Sequence, residues 1–325
     1  MTRQEFDRFA AAFGAGRVRR EAPLAPLTTF RVGGPAECLV EVRGSAELAS
    51  AWRLAGELGV PAVVIGGGSN LLVSDEGVRG VVIRARGGET ALESASAVRA
   101  DAGVSLNGLV RWAIGRGLEG LETFAGTPGS VGGAVCGNAH YAGRSIDERV
   151  RSVRLAGPGG GVADVPAAEM GFAYGRSRAQ AGGEVVLSVS FGLAPGADPA
   201  ALRETARQSL AHRQRTQPLG MPSAGCVFRN PDPAVDPVPE GIPPSAGALV
   251  DRAGLKGLAI GGAVVSIVHA NFIVNQGGAT ASDIRRLIDR CRDEVLARFG
   301  VTLREEIRLL GWQAGSGSAR VHTAD

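Results

Sequence analysis

Two glycine-rich runs hold the residues whose types and spacing most plainly suit chemistry. Residues 124–139 read FAGTPGSVGGAVCGNA, with Gly126, Gly129, Gly132, Gly133 and Gly137 set among Ser, Thr, Ala and Asn. With so little bulk over the main chain, such a run permits positive φ angles and lets backbone N–H groups approach a large ligand. Residues 66–70, GGGSN, form a second run directly after the apolar stretch 62–65. One such run also suits a plain connection between two elements. Two of them point to two sides of one site. Neither has a Walker or Rossmann pattern, because no G-x-G-x-x-G opens a helix and GGGSN runs into another apolar segment, 71–73. Phosphates would be gripped by loop amides alone, which suits a long ligand such as a dinucleotide lying between two units.

The elements that must position these loops follow from periodicity. Phe6, Phe9, Ala10 and Phe13 repeat at helical spacing behind a Thr2/Glu5 capping box. A Pro-containing connector leads to a strand at 38–42, a helix opened by Ser45 and closed by Gly59, and strands at 62–65 and 81–83. A second unit begins near Thr90, with a strand at 97–102 and a helix over 105–116 ahead of the long glycine run. The turn GPGGG joins strands 150–155 and 161–165 as a hairpin, another strand spans 184–191, and a helix over 200–211 ends near the polar residues 212–217. The third unit holds PSAGCVFRNP, an exposed Pro-rich insertion at 232–244, a short helix at 248–253, strands at 263–266 and 271–274, and the clearest helix of the chain. Thr280 caps that helix, and its stripe of Ile284, Leu287, Ile288, Cys291, Val295 and Phe299 makes Cys291 a core residue. A strand at 306–310 precedes a Gly/Ser-rich tail, 313–325, expected to be disordered.

Composition excludes several classes of function. Hydrophobic residues make up 44% of 325, which suits a globular chain of two or three units. No apolar run reaches membrane-spanning length and no signal peptide opens the sequence, so a cytoplasmic location is expected. Cys38, Cys136, Cys226 and Cys291 are scattered without metal-binding spacing, so neither disulfides nor a structural metal is expected. A net charge of +3 with dispersed Lys and Arg argues against nucleic acid and leaves room for an anionic small molecule held by a few arginines.

TTFRVGGPAE (28–37), GGGSNLLVSD (66–75), GLEGLETFAGTPGSVGGAVCGNA, SAGCVFRNP, GALVDRAGLKGLAIGGAVVSIVHANFIVN (247–275) and LREEIRLLG together closely resemble the UDP-N-acetylenolpyruvoylglucosamine reductase family over residues 24–312. The first three motifs are shared with the wider vanillyl-alcohol-oxidase, or PCMH-type, FAD-binding fold. The resemblance implies an α+β protein with a two-subdomain FAD-binding module (1–89 and 90–212) and a smaller α+β substrate-binding domain (213–312). It implies FAD as bound cofactor, NADPH as hydride donor, a UDP-sugar substrate, a monomer, and a place in bacterial peptidoglycan precursor synthesis. Gly66, Gly67, Gly68, Ser69, Asn70, Gly129, Ser130, Gly132, Gly133, Ala134 and Asn138 would hold FAD. Cys226 stands where most members have the proton-donating serine of SAGSxFKNP; taken alone, a cysteine in a small-residue loop reads as buried packing. Glu306 matches the catalytic glutamate of LExEVR, whose first glutamate is replaced by Arg304. The family's catalytic arginine lies in Tyr-Arg-x-Ser, whereas residues 172–178 read FAYGRSR. Gly175 falls at the arginine position, and Arg176 is the candidate to reach from one residue away. Tyr174, Arg215, Asn230, Asn271 and Arg308 match the substrate side, His269 is structural, and His140 and Tyr141 depart from the family pattern. Another FAD oxidoreductase of the same fold, such as a sugar or lactone oxidase, and an inactive FAD or nucleotide-sugar binding module remain alternatives at this level.

Overall fold

The computed structural model describes residues 1–181 and 183–312; the expected tail, 313–325, lies outside them. Helix α1 (Arg3–Phe13) carries the Thr2/Glu5 capping box and buries Phe9 and Phe13. Strands β1 (Val18–Pro23) and β2 (Pro35–Arg43), helix α2 (Gly44–Glu57) and strands β3 (Ala62–Ile65), β4 (Leu71–Val73) and β5 (Val78–Arg86) follow. The first sheet has the order β1-β2-β5-β3, with β2 and β3 both parallel to β5. Its edge strand β1 lies where the sequence reads as a connector. Only Val18 and Ala22 of VRREAP are buried, so the segment lacks the alternation that marks a strand.

The second unit contains β6 (Thr90–Ser94), β7 (Ala97–Asp101), α3 (Leu106–Ile114), α4 (Val131–Cys136), β8 (His140–Tyr141), β9 (Arg144–Ser145), β10 (Val150–Ala156), β11 (Val162–Pro166), α5 (Arg178–Ala181), β12 (Val185–Gly192) and α6 (Pro199–Thr216). Its antiparallel sheet has the order β11-β10-β12-β7-β6, and one apolar cluster continues through it into α2 and the first sheet. The long glycine run is only partly loop, because Ser130 accepts from Gly133 N and starts α4. Helix α6 runs to Thr216, past the unit boundary expected at residue 212. Polar residues do not break a helix; Pro218 does, by forcing Gln217 into extended backbone at φ −129° and ψ 147°.

The third unit contains α7 (Ala246–Arg252), β13 (Ala259–Ile260), β14 (Ala263–Val265), β15 (Ile273–Asn275), α8 (Ala281–Phe299) and β16 (Arg308–Leu310). Ile284, Leu287, Ile288, Cys291 and Val295 of α8 are buried, and Gly300 ends the helix at φ 70°. Two devices lock this unit to the first. Strand β16 pairs in parallel with β4, Arg308 opposite Leu71 and Leu310 opposite Val73. The Asp75 carboxylate accepts from Ala281 N (2.8 Å), Ser282 N (2.9 Å) and Ser282 Oγ (2.7 Å), so a residue of the GGGSNLLVSD motif caps α8 from outside. Phe30, Val32 and Leu72 belong to the apolar cluster of the third unit. The GGGSN loop is thereby held between the first sheet and the strand that follows Glu306.

Candidate active site

The two glycine runs meet backbone to backbone. A Cβ on Gly67 would fall 2.7 Å from the Cα of Gly129, and one on Gly129, at φ +108°, would fall 2.7 Å from Ser69 Oγ. Gly68 sits at φ +64°, where a Cβ would lie 2.1 Å from the Leu27 carbonyl oxygen. Only glycine permits these approaches. Among the described residues, the amides of Gly67, Gly68, Ser69, Asn70, Gly129 and Ser130 donate to no protein acceptor, so they remain available to an anionic ligand. Beside them an apolar cavity is lined by Val64, Gly66 and Ala85 from the first unit and by Gly133, Cys136 and Val186 from the second.

Several residues expected to touch the cofactor are engaged elsewhere. Gly132 N donates to Ala102 O (2.9 Å), Gly133 N to Ser130 Oγ (3.2 Å) and Ala134 N to Ser130 O (2.9 Å). Their amides are thus taken up within the protein, and Gly132 and Gly133 line the cavity wall. Asn138 is buried; its Nδ2 donates to Ala173 O (3.1 Å) and its Oδ1 accepts from Asp147 N (3.3 Å), which pins the turn carrying Tyr174. Asn70 Nδ2 donates to Glu306 O (3.2 Å), and the Asn70 carbonyl accepts from Arg308 N (2.8 Å). Their amide side chains join segments of the protein.

Residues 226–229 lie between two other segments of the third unit. Val227 N donates to Asn271 O (2.8 Å), Glu306 N to Val227 O (2.8 Å) and Arg229 N to Arg304 O (2.8 Å). This brings Cys226 and Glu306 together. Asn271 is 3% exposed; its Oδ1 accepts from Phe228 N (2.9 Å) and its Nδ2 donates to Phe228 O (2.7 Å). A side chain so buried and so occupied positions the cysteine segment and does not reach for substrate, which corrects the expectation for Asn271. The Cys226 thiol is pushed up to about 12, first by burial and then by the Glu306 carboxylate, against a hydrogen bond from Asn271 and the charge of Arg213. Cys226 still keeps partial exposure at the site. At neutral pH its sulfur therefore holds a proton.

The neighbouring Glu305 is drawn away by Arg285 Nη1 (2.9 Å) and Arg292 Nη2 (2.7 Å), so of the two adjacent glutamates it is Glu306 that bears on the thiol. Arg304, which departs from the family motif, donates twice at 2.8 Å to buried Asp236 and thereby ties down the Pro-rich insertion. Tyr174 is half-exposed, and its phenol is pushed up to about 12 by burial and then by Glu306. His140 packs on it with ring centroids 4.4 Å apart, and burial lowers the imidazole's pKa. Asn230 Oδ1 accepts from Ala246 N (3.1 Å) at the start of α7.

The arginines sort differently from the expectation. Arg215 is exposed on α6, whereas Arg213 is 5% exposed, donates to Thr127 Oγ1 (2.6 Å) and stacks its guanidinium 3.5 Å from the Tyr141 ring centroid. Two residues along a helix is more than half a turn, so only one of the pair can face the site. Arg213 is the one turned toward Thr127 and Tyr141. Arg176 is exposed in a two-residue hairpin closed by its backbone bonds to Ala173, and among the described residues its guanidinium has no hydrogen-bond or ion-pair partner. Arg308 Nη1 donates to Gln180 Oε1 (3.1 Å), while its buried Nε has no partner among the described residues.

Residues 36–165 match a family model described as an FAD binding domain, and residues 217–310 match that of the UDP-N-acetylenolpyruvoylglucosamine reductase C-terminal domain. The UDP-N-acetylenolpyruvoylglucosamine reductase of Heliobacterium modesticaldum is 42% identical over 92% of this chain and 93% of its own length. Reductase 2 of that name from Symbiobacterium thermophilum is 44% identical over 91% and 93%. The chain belongs to the UDP-N-acetylenolpyruvoylglucosamine reductase family. The crystal structure of the reductase (MurB) from Thermus caldophilus superposes with a TM-score of 0.74 at 35% identity, over 90% of this chain and 99% of that one.

As a member of this reductase family the chain is an FAD-dependent oxidoreductase with a two-part FAD-binding module and a further α+β domain. Its residues fit the cofactor. The mutual approach of Gly67 and Gly129 leaves a cradle that any Cβ would fill, and unpaired loop amides offer donors for a pyrophosphate. The apolar cavity beside them, about 30 Å³, is a small gap between the two units and is lined on both sides by the glycine runs' neighbours.

Proposed function

We infer that this chain reduces the enolpyruvyl ether of UDP-N-acetylglucosamine enolpyruvate to UDP-N-acetylmuramate in peptidoglycan precursor synthesis, and that Cys226 delivers the proton. FAD held by the glycine cradle would supply hydride-transfer chemistry, with NADPH as reductant, toward the methylene carbon of the enolpyruvyl group. The double-bond electrons then move onto the carbon next to the carboxylate, which must take up a proton. The observation that supports Cys226 as its source is the thiol held protonated beside Glu306, in the part of the chain matching the reductase C-terminal domain. A carbanion conjugated with a carboxylate is far more basic than a thiolate, so transfer from sulfur to carbon runs downhill even from a raised thiol. Solvent then returns a proton to the sulfur. Burial, and after it the Glu306 carboxylate, keep Cys226 in its acid form until that moment.

On the same reading Gly67, Gly68, Ser69, Asn70, Gly129 and Ser130 hold the pyrophosphate through backbone amides. Gly66, Gly132 and Gly133 line the apolar cavity. Tyr174, Asn230, Arg213 and Arg308 surround the UDP-sugar on the other side. We set the division between the FAD module and the substrate domain at Pro218, where α6 ends. As a cytoplasmic monomer the enzyme would meet its nucleotide-sugar directly; among the described residues no helix is long and apolar enough to cross a membrane.

An absorption spectrum of the purified protein tests the reading. A flavin band bleached by NADPH and restored anaerobically by UDP-N-acetylglucosamine enolpyruvate is expected. Restoration by oxygen alone, or no bleaching, would overturn it.

A further inference from the structure

A negative charge growing next to the substrate carboxylate needs a cation at close range, and most arginines around the site already hold a protein partner. Arg304 is bound twice to Asp236, Arg213 to Thr127 and the Tyr141 ring, and Arg308 to Gln180. Arg176 stands exposed. Arg229 differs from all of these. It lies three residues from Cys226 on the same segment, and its guanidinium covers the main chain of Gly175. Its Nη2 donates to Gly175 O (3.2 Å), and a Cβ at position 175 would meet Arg229 Nε at 3.4 Å and Cζ at 3.6 Å. The missing side chain at 175 and the guanidinium of 229 therefore occupy adjoining space. Arg229 Nε, like those of Arg213 and Arg308, is buried without a partner, and no carboxylate pairs with this arginine among the described residues; its place on the Cys226 segment sets it apart. A buried, unpaired donor on a charged group is costly unless something fills it. The group also faces Tyr174, which in turn faces Cys226 and Glu306.

We propose that Arg229, seated on Gly175, is the cation that binds the enolpyruvyl carboxylate and stabilises the charge developing beside it. This rests on the reductase reading above and assigns to a residue of the cysteine segment the role expected of Arg176. Gly175 takes the left-handed turn, φ +65°, that sets its carbonyl under the guanidinium, and a Cβ there would only touch Arg229. Planar, two-pronged donation suits a carboxylate better than a lysine's point charge does.

Arg229→Ala, Arg229→Lys and Arg176→Ala test the assignment in the full-length holoenzyme, with the two half-reactions followed separately by rapid mixing. In Arg229→Ala, reduction of the flavin by NADPH should stay within about twofold of wild type, while reoxidation by UDP-N-acetylglucosamine enolpyruvate slows about 10²-fold or more. Added guanidinium should restore part of that rate, and Arg229→Lys should keep more of it than Arg229→Ala; a merely structural arginine predicts neither. Titration calorimetry gives a readout apart from turnover. UDP-N-acetylmuramate, which carries the carboxylate, should bind Arg229→Ala about tenfold more weakly, and UDP-N-acetylglucosamine, which lacks it, should bind unchanged, as expected for loss of one charged hydrogen-bond pair. Arg176→Ala should reoxidise at least about ten times faster than Arg229→Ala. A wild-type reoxidation rate in Arg229→Ala, or a larger loss in Arg176→Ala, overturns the assignment and leaves the reductase reading intact. A wild-type enzyme whose reduced flavin the UDP-sugar does not reoxidise overturns both.

Discussion

Around the glycine runs the chain works by leaving side chains out, so that Gly67 can touch Gly129 and loop amides stay free. Around Cys226 it works by bringing side chains in, from α6, from the hairpin after Phe172, from the segment before α7 and from the strand end at Glu306. The difference decides how each side tolerates change. A cradle made of main chain offers no second route, because any Cβ collides. A ring of long charged side chains offers several, because a guanidinium can arrive at one point from different backbone positions. Departures from the family motifs accordingly gather on the second side, at Gly175, Cys226 and Arg304.

The sharpest way to break this comparison is at Gly68. Gly68→Val should cost well over the roughly 1–3 kcal/mol of left-handed strain alone, since its Cβ would also lie 2.1 Å from Leu27 O. The protein is expected to purify without a flavin spectrum or to fail to fold; an intact flavoprotein would show that the cradle is looser than its geometry. Cys226→Ala comes next, with reoxidation by the enolpyruvyl substrate down about 10²- to 10⁴-fold and reduction by NADPH retained, while Cys226→Ser keeps appreciable activity. Normal turnover in the alanine variant would remove Cys226 as the acid.

The proton source also has a pH signature. A folded thiol pKa raised to about 12 keeps the donor protonated through the neutral range and loses it only as pH climbs toward that value. The reoxidation rate should therefore show no fall near about pH 8.5, where an ordinary thiol titrates. A fall there would place Cys226 in a more polar setting than its packing gives it. Asn271→Ala should cost about 1–3 kcal/mol in a denaturant titration, because it strands Phe228 N–H and C=O in the core. A neutral result would mean the cysteine segment is held by its backbone bonds alone. Smallest is Arg304→Ala, expected to cost about 1 kcal/mol or less because the guanidinium is half in solvent; its Asp236 partner is buried. A loss as large as that of Asn271→Ala would make the insertion a structural part of the site.

Much of this was legible in order along the chain. The Thr2/Glu5 box, the apolar stripe of α8, the strand at 62–65 and the GPGGG hairpin all declare themselves through periodicity and turn chemistry. The motifs named the family, and with it FAD and the reaction. Strand β1 was hidden because its burial comes from pairing with β2 and not from its own alternation. The end of α6 was misread because polarity resembles a boundary, while the signal that matters is the proline at 218.

Sequence by itself determined the cradle, since glycine in the left-handed region is a local requirement written where it acts, and it determined that a cysteine stands at the acid position. Only the tertiary structure decided which partners Arg213, Arg229 and Arg308 hold, that Asn271 serves the backbone, and that Glu305 is drawn off by Arg285 and Arg292. The physical reason is reach. A backbone conformation belongs to one residue and its neighbours, whereas a long side chain's destination depends on which distant segment offers it a partner, as the Gly175 carbonyl does for Arg229.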